Sequence, residues 1–322
     1  MRVVIYHQGA LGDFLLLLPV LEGMARLRPG FRADFWSKRE HVSLLSGKDY
    51  LGDFYPLDGP LAAALLDDGR WEKFPLPDFI LRADSIFIFG QEGARTIAQR
   101  LSGRLGGRAH WVRSFPGPGD SGVHAGDFIA KQVAALGWPH RQVFRALEPP
   151  LSEVSAARGV LERLGAGERP VVIHPGSGGM RKIWPLRCWT DLVERLRREF
   201  RVPVLLSEGP ADECIAEFFR EMGRAGTAVV RGLSTAGLSA LLSLGRLFIG
   251  SDSGVSHLAA AVGTPALVLF GPTDPEVWAP RGDEVRIIRG SWNEKEVAAR
   301  GPAEDCSPSA SEVIAQAAEL LG

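Results

Sequence analysis

The sequence predicts an α/β protein built as two Rossmann-like halves, each a doubly wound parallel sheet, and three observations carry that expectation. Its 322 residues, 45% hydrophobic and 23% charged, exceed what one hydrophobic core usually organises. Short β-branched or aromatic runs alternate with helical patterns along the whole chain, as βα units on a parallel sheet do. The two halves also open alike. Val3-Val4-Ile5-Tyr6-His7-Gln8-Gly9 and Val171-Val172-Ile173-His174-Pro175-Gly176 are each an apolar run entering a glycine turn.

The first strand, Val3 to Tyr6, leads into a Leu-rich helical stretch at 14–27. Ala33 to Trp36 and Ser85 to Phe89 read as further strands, and 125–136 reads as a helix. Periodicity stops between Trp138 and Pro150, where three prolines mark a linker. Beyond it, strands are expected at Val171–Ile173, Val202–Leu206, Ala228–Val230, Leu247–Ile249 and Ala266–Phe270. Helices are expected at 187–199, 211–223, 235–244 and 254–262, and a last one at about 309–321. The domains are therefore drawn at 1–150 and 151–308, with a C-terminal helical segment, 309–322, that can pack back on the N-terminal domain.

Composition removes several classes of function. With 37 Lys plus Arg against 38 Asp plus Glu, the formal net charge of -1 argues against a nucleic-acid-wrapping protein. Cys188, Cys214 and Cys306 are far apart and show no Cys-x-x-Cys spacing, so reduced thiols are expected, not a disulfide framework or a zinc knuckle. The apolar run from Phe14 to Leu21 is interrupted by Pro19 and is far short of the about 20 residues that span a bilayer. Asp13 directly before it, and the lack of an Ala-x-Ala site after it, speak against a signal peptide. A cytoplasmic chain is expected, with peripheral contact at a membrane surface left open.

Three turns at the carboxyl ends of strands carry the chemistry. Gly9-Ala10-Leu11-Gly12-Asp13 lets backbone approach a ligand and puts a carboxylate near a helix start; Asp13 reads either as a cap or as a base for a nucleophilic hydroxyl. In His174-Pro175-Gly176-Ser177-Gly178-Gly179-Met180-Arg181-Lys182, exposed N–H groups, a hydroxyl and two cations suit a diphosphate, although an ordinary flexible loop has the same composition. Gly250-Ser251-Asp252-Ser253-Gly254-Val255-Ser256-His257 joins a buried strand to an Ala-rich helix, whose positive end is an anion site that small side chains leave open. There Asp252 reads as a ligand contact or an N-cap, and His257 as facing the anion or as packed in the domain. Phe270-Gly271-Pro272-Thr273 ends the neighbouring strand. An acid in Glu208-Gly209-Pro210-Ala211-Asp212-Glu213 could read ribose hydroxyls or simply start a helix. No Gly-x-Gly-x-x-Gly occurs at the turn after the first strand of either half, and Walker A, Gly-x-Ser-x-Gly, Asp-x-Asp and His-x-x-x-His are absent, so nicotinamide chemistry, serine hydrolysis and a metal site lack support.

Taken in order along nearly the whole chain, these motifs resemble glycosyltransferase family 9, whose best-known members are ADP-heptose:lipopolysaccharide heptosyltransferases. The resemblance implies a GT-B fold of two facing domains with a cleft between them, the N-terminal one for acceptor and the C-terminal one for nucleotide-sugar. It implies inverting transfer of a heptose from ADP-heptose to a hydroxyl of a lipopolysaccharide core or other lipid-linked saccharide, without metal or cofactor. Asp13 matches the family's proposed general base. Ser177, Gly178 and Lys182 match positions that hold the donor diphosphate, with Lys182 also assisting the leaving group. Asp252 matches a contact to donor sugar hydroxyls, and Ser253, Gly254 and His257 match the phosphate-facing helix start. Asp212 and Glu213 are the candidates for the ribose. Gly12 lies on the acceptor side.

One further stretch belongs to the acceptor half. Arg95, Arg100, Arg104, Arg108 and Arg113 fall between Gly93 and Gly119 without an acidic residue, and Trp111 and Phe115 are interleaved. Such a patch suits an anionic, partly lipidic acceptor or the cytoplasmic face of the inner membrane, with Arg100, Arg104 and Arg108 as the contacts; a solvated helix face is the competing reading. The rival functions are a GT-B transferase using another nucleotide-sugar or acceptor, and a non-catalytic nucleotide-sugar binding protein.

Overall fold

The computed structural model describes residues 1–120, 122–138, 141–144, 147–299 and 301–321. Four positions of the expected linker, 139, 140, 145 and 146, lie outside the described residues. The chain divides into two compact units, Met1–Arg145 and Ala146–Gly322.

The first unit holds five parallel strands, β1 (Arg2–His7), β2 (Arg32–Ser37), β3 (Leu51–Pro56), β4 (Ser85–Gly90) and β5 (Ala109–Arg113), in the order β3-β2-β1-β4-β5. Val3, Val4, Ile5, Ile86, Phe87 and Ile88 have no exposed surface, because helices cover both faces of the central strands. That burial is why β1 and β4 are unbroken apolar runs. β3 and β5 lie at the sheet edges, where half-buried Leu-Gly-Asp-Phe-Tyr-Pro and Ala-His-Trp-Val-Arg need no such run, and periodicity passes over them. Helix Leu11–Leu27 starts earlier than its apolar stretch and takes in Asp13. The carbonyl of Pro19 within it accepts the N–H of Val143 at 3.0 Å, which ties the end of this unit to its first helix.

The second unit holds six parallel strands, β6 (Val171–His174), β7 (Val204–Glu208), β8 (Ala228–Arg231), β9 (Leu247–Ser251), β10 (Ala266–Phe270) and β11 (Val285–Arg289), ordered β11-β10-β9-β6-β7-β8. Helices Leu186–Arg198, Thr235–Leu244 and Gly254–Ala261 stand where the pattern puts them. The stretch expected as one helix from 211 is a 3₁₀ turn, Pro210–Ile215, followed by helix Ala216–Arg224. Helix Leu151–Leu164 and edge strand β11 have no counterpart in the sequence reading. The terminal helix Ala310–Leu321 belongs to the second unit. Val313, Ile314, Ala317 and Leu321 join Leu192, Leu196 and Leu247 in the second unit's core, and Arg246 donates to the carbonyl of Leu321.

The cysteines also depart from expectation. Cys188 and Cys306 are joined as a disulfide across 118 residues, with Cα atoms 6.6 Å apart, while Cys214 is free and exposed. Their distance in sequence conceals that the segment before Pro308 lies over the start of helix Leu186–Arg198, where Trp184 Nε1 donates to the Pro308 carbonyl at 3.0 Å. Among the described residues no helix is long and apolar enough to cross a membrane.

Each sheet reverses its winding beside its first strand, between β1 and β4 in one unit and between β6 and β9 in the other. Ligands of open α/β sheets bind outside the carboxyl ends of strands at such points. The motif turns follow β1, β6, β9 and β10.

Candidate active site

In the first unit, β1 delivers His7 to the switch point and the chain turns through Gln8, Gly9 and Ala10 into the helix. Asp13 Oδ2 accepts the N–H of Ala10 at 2.9 Å, so the carboxylate does cap the helix while remaining half-buried at the strand end. Gly9 leaves room at this corner: a methyl group on it would lie 2.7 Å from Asp13 Oδ2 and 3.1 Å from His7 Cε1, so the Asp13 side chain would have to shift. His7, which the sequence reading passes over, thus shares this corner with Asp13. Burial, with the nearby His41 and Lys38, pushes the His7 imidazole down to about 3; burial and Lys38 push His41 to about 4. Both rings are therefore neutral at physiological pH, and the Nδ1 atom of each is buried without a partner among the described residues. Gly12 is half-buried in the first turn of the helix.

In the second unit the turns after β6, β9 and β10 are laced together. Ser177 Oγ donates to the Asp252 carbonyl at 2.7 Å, and Ser251 Oγ returns a bond to the Pro175 carbonyl at 2.7 Å. Asp252 is buried, and its Oδ2 accepts from Lys182 Nζ at 2.8 Å and from Thr273 Oγ1 at 2.7 Å. Ser256 Oγ donates to the Ser251 carbonyl at 2.6 Å and so braces the first turn of helix Gly254–Ala261. The structure therefore brings together Ser177, Lys182, Asp252, Ser253, Gly254 and Thr273, three of the expected turns at one switch point. Gly178 is exposed on the rim, and His257 is buried in the helix's first turn.

Ser253 is the exception to this mutual satisfaction. It is the N-cap residue, yet its side chain caps nothing, and its buried Oγ has no hydrogen-bond partner among the described residues. A buried hydroxyl without a protein partner at the positive end of a helix, next to the acid that holds a lysine, is an arrangement that suits an anion.

Other expectations change. Ser177 uses its proton within the protein, and Lys182 is paired with Asp252, so neither is a bare donor. Asp212 is turned inward and is 1% exposed, whereas Glu213 is exposed and Glu208 is paired with Arg231. The arginine patch is not a free patch. Arg100 donates to the Leu65 carbonyl and pairs with Asp68, Arg104 donates to the carbonyls of Trp71 and Phe74 at 2.8 Å each, and Arg108 donates to those of Leu81, Ala83 and Leu105. Arg95 pairs with Glu92 over Trp111, and Arg113 with Asp120 over Phe128. A local charge count cannot see carbonyls and acids supplied from elsewhere in the chain. Among the described residues no three His, Cys, Asp or Glu side chains are grouped to hold a metal ion.

Comparison with known proteins decides the family. The model of glycosyltransferase family 9 (heptosyltransferase) matches residues 122–306, more than half of the chain. The lipopolysaccharide heptosyltransferase 3 of Escherichia coli K12 is 34% identical over 293 residues, 85% of this chain and 83% of its own length. The chain belongs to glycosyltransferase family 9. Two solved structures share its fold: the family 9 glycosyl transferase of Veillonella parvula, with a TM-score of 0.76 and 18% identity over 99% of this chain and 97% of that one, and the E. coli ADP-heptose lps heptosyltransferase II, with a TM-score of 0.73 and 17% identity over 100% and 98%. As a family 9 glycosyltransferase, the chain has a GT-B fold, and its motif turns fall at the switch points of both sheets.

Proposed function

We propose that this glycosyltransferase moves a heptose from ADP-heptose to a hydroxyl of a lipopolysaccharide core acceptor, with inversion and without a metal ion. The observation that carries the donor half of this reading is the buried Ser253 hydroxyl, without a partner among the described residues, at the start of helix Gly254–Ala261 beside the Lys182–Asp252 pair. The names of the relatives support the donor and the acceptor class.

In the proposed reaction Asp13 takes the proton of the acceptor hydroxyl as its oxygen attacks the anomeric carbon. The bond from that carbon to the diphosphate oxygen breaks, and the nucleoside diphosphate leaves with the electron pair. Negative charge develops on the leaving oxygen, where Lys182 and the N–H groups of the Gly254 helix start stabilise it; fixed donors of this kind do most where they are aimed at developing charge. Lys182 then exchanges part of its bond to Asp252 for the diphosphate, which frees Asp252 to accept from donor sugar hydroxyls. Ser177 holds the Asp252 carbonyl in place while the N–H groups of its glycine turn face the phosphates, and His257 backs the same helix turn.

The acceptor is lipid-linked in this reading and is met at the cytoplasmic face of the inner membrane, by contact and not by a span. The test is direct. ADP-heptose and a heptose-deficient lipopolysaccharide acceptor should yield ADP and extended product at the same rate with or without EDTA, and ADP should raise the unfolding temperature more than UDP or GDP does. Nucleotide binding without product from any such acceptor would overturn the reading in favour of a binding protein.

A further inference from the structure

We infer that Asp212 is a positioning residue that fixes the turns after β6 and β7 to one another, making the two halves of the donor site a single body. This rests on the reading of the β6 turn as the diphosphate site. Asp212 lies in the 3₁₀ turn Pro210–Ile215 and is 1% exposed, so it is placed to hold protein and not to touch ligand.

Its carboxylate faces both turns. Oδ2 accepts the N–H of Gly209, in the turn after β7, at 2.7 Å. The same oxygen lies 3.8 Å from Nδ1 of His174, the last residue of β6. His174 Nδ1 is 2.9 Å from the Ser207 carbonyl, and a carbonyl only accepts, so Nδ1 carries a proton there and presents its positive edge to the acid. The opposite side of the carboxylate fills the space under Gly176. A methyl group on Gly176 would lie 1.7 Å from Asp212 Oδ1, 2.3 Å from Cγ and 2.7 Å from Oδ2. The glycine that opens the diphosphate turn is thus required by an acid on the neighbouring turn, and not only by the approach of a phosphate.

A buried carboxylate is costly unless charge and hydrogen bonds compensate it. Here burial pushes the Asp212 carboxyl upward, while His174 and the Gly209 N–H oppose that shift. The compensating groups come from the end of β6 and from the turn after β7, so neither segment can move without exposing the acid's need for the other. Ribose contacts then fall to groups other than Asp212, with exposed Glu213 the nearest candidate.

The test is a double-mutant cycle read by ADP affinity and by amide hydrogen exchange. Asp212→Ala is expected to raise the Kd for ADP about tenfold or more, the scale of losing one charged hydrogen bond, and to speed exchange in both the 174–179 turn and at Gly209 while acceptor KM stays level. Gly176→Ala alone should weaken ADP as well. Combined with Asp212→Ala it should cost little more, because all three atoms that the methyl would meet are gone. Additive losses, or faster exchange confined to the Gly209 turn, would overturn the inference. Asp212→Asn, which keeps the shape, guards against simple misfolding and should show the same exchange pattern to a lesser degree. If the unaltered protein does not bind ADP, the diphosphate reading fails, and the exchange pattern alone then decides whether Asp212 couples the turns.

Discussion

Gly9, Ser253 and Lys182 show how much of the site depends on single atoms. Gly9→Ala would drive a methyl to 2.7 Å from the Asp13 carboxylate and should lower kcat at least tenfold while ADP affinity stays level, measured by initial rates and calorimetry. Ser253→Ala has the opposite character. Its hydroxyl has no partner among the described residues, so the unliganded protein should melt at the same temperature while ADP binding weakens. A fall in unliganded melting temperature would mean that the hydroxyl supports the fold. Lys182→Ala should weaken ADP and also destabilise, because Asp252 is left as a buried acid that, among the described residues, keeps Thr273 as its side-chain partner. These residue identities were legible in the sequence as turn chemistry. Their pairings were not, because Ser177, Lys182 and Thr273 all meet Asp252, and only folding brings residues this far apart along the chain into contact.

At the level of elements, the inner strands and the edge strand β8 were legible, whereas the edge strands β3, β5 and β11 were not. β1, β4, β6, β9 and β10 are buried on both faces and so announce themselves as apolar runs. β3, β5 and β11 are half-buried and carry Asp53, His110 or Arg286 within them, which leaves no periodic signal. The helix Glu92–Arg104 was read only as charge. Its Arg104 in fact closes the carbonyls of Trp71 and Phe74, so Arg104→Ala should cost about 1–3 kcal/mol of stability, the penalty for leaving carbonyls unsatisfied. Chemical denaturation measures that loss, and acceptor KM should not change. A raised acceptor KM at unaltered stability would restore the arginines to the acceptor site.

For the whole molecule, the two units carry different chemistry at the switch points of their sheets, a carboxylate after β1 and a helix start after β9. The near-zero net charge of -1 is uninformative about either, because a helix start offers backbone N–H groups that carry no formal charge and Lys182 is matched by Asp252. The first unit should also be the acid-sensitive one. Buried His7 and His41 titrate at about 3 and about 4 when folded, against 6.5 as the ordinary value. Between pH 6.5 and about 4 the unfolded chain therefore binds more protons, and stability falls as pH falls. Fluorescence-monitored denaturation across this window should show that slope, and His7→Gln should flatten it.

The central claim is that Asp13 in the first unit is the base for a transfer whose donor is held by the second unit. Asp13→Asn keeps the size of the side chain and its reach to the Ala10 N–H but removes the proton acceptor. Single-turnover transfer from ADP-heptose, measured beside the Kd for ADP, is the most direct test. The expected result is a rate lowered about 10²–10⁴-fold, the usual contribution of a positioned base, with ADP affinity within about twofold of the unaltered protein. Transfer at the unaltered rate would contradict the account.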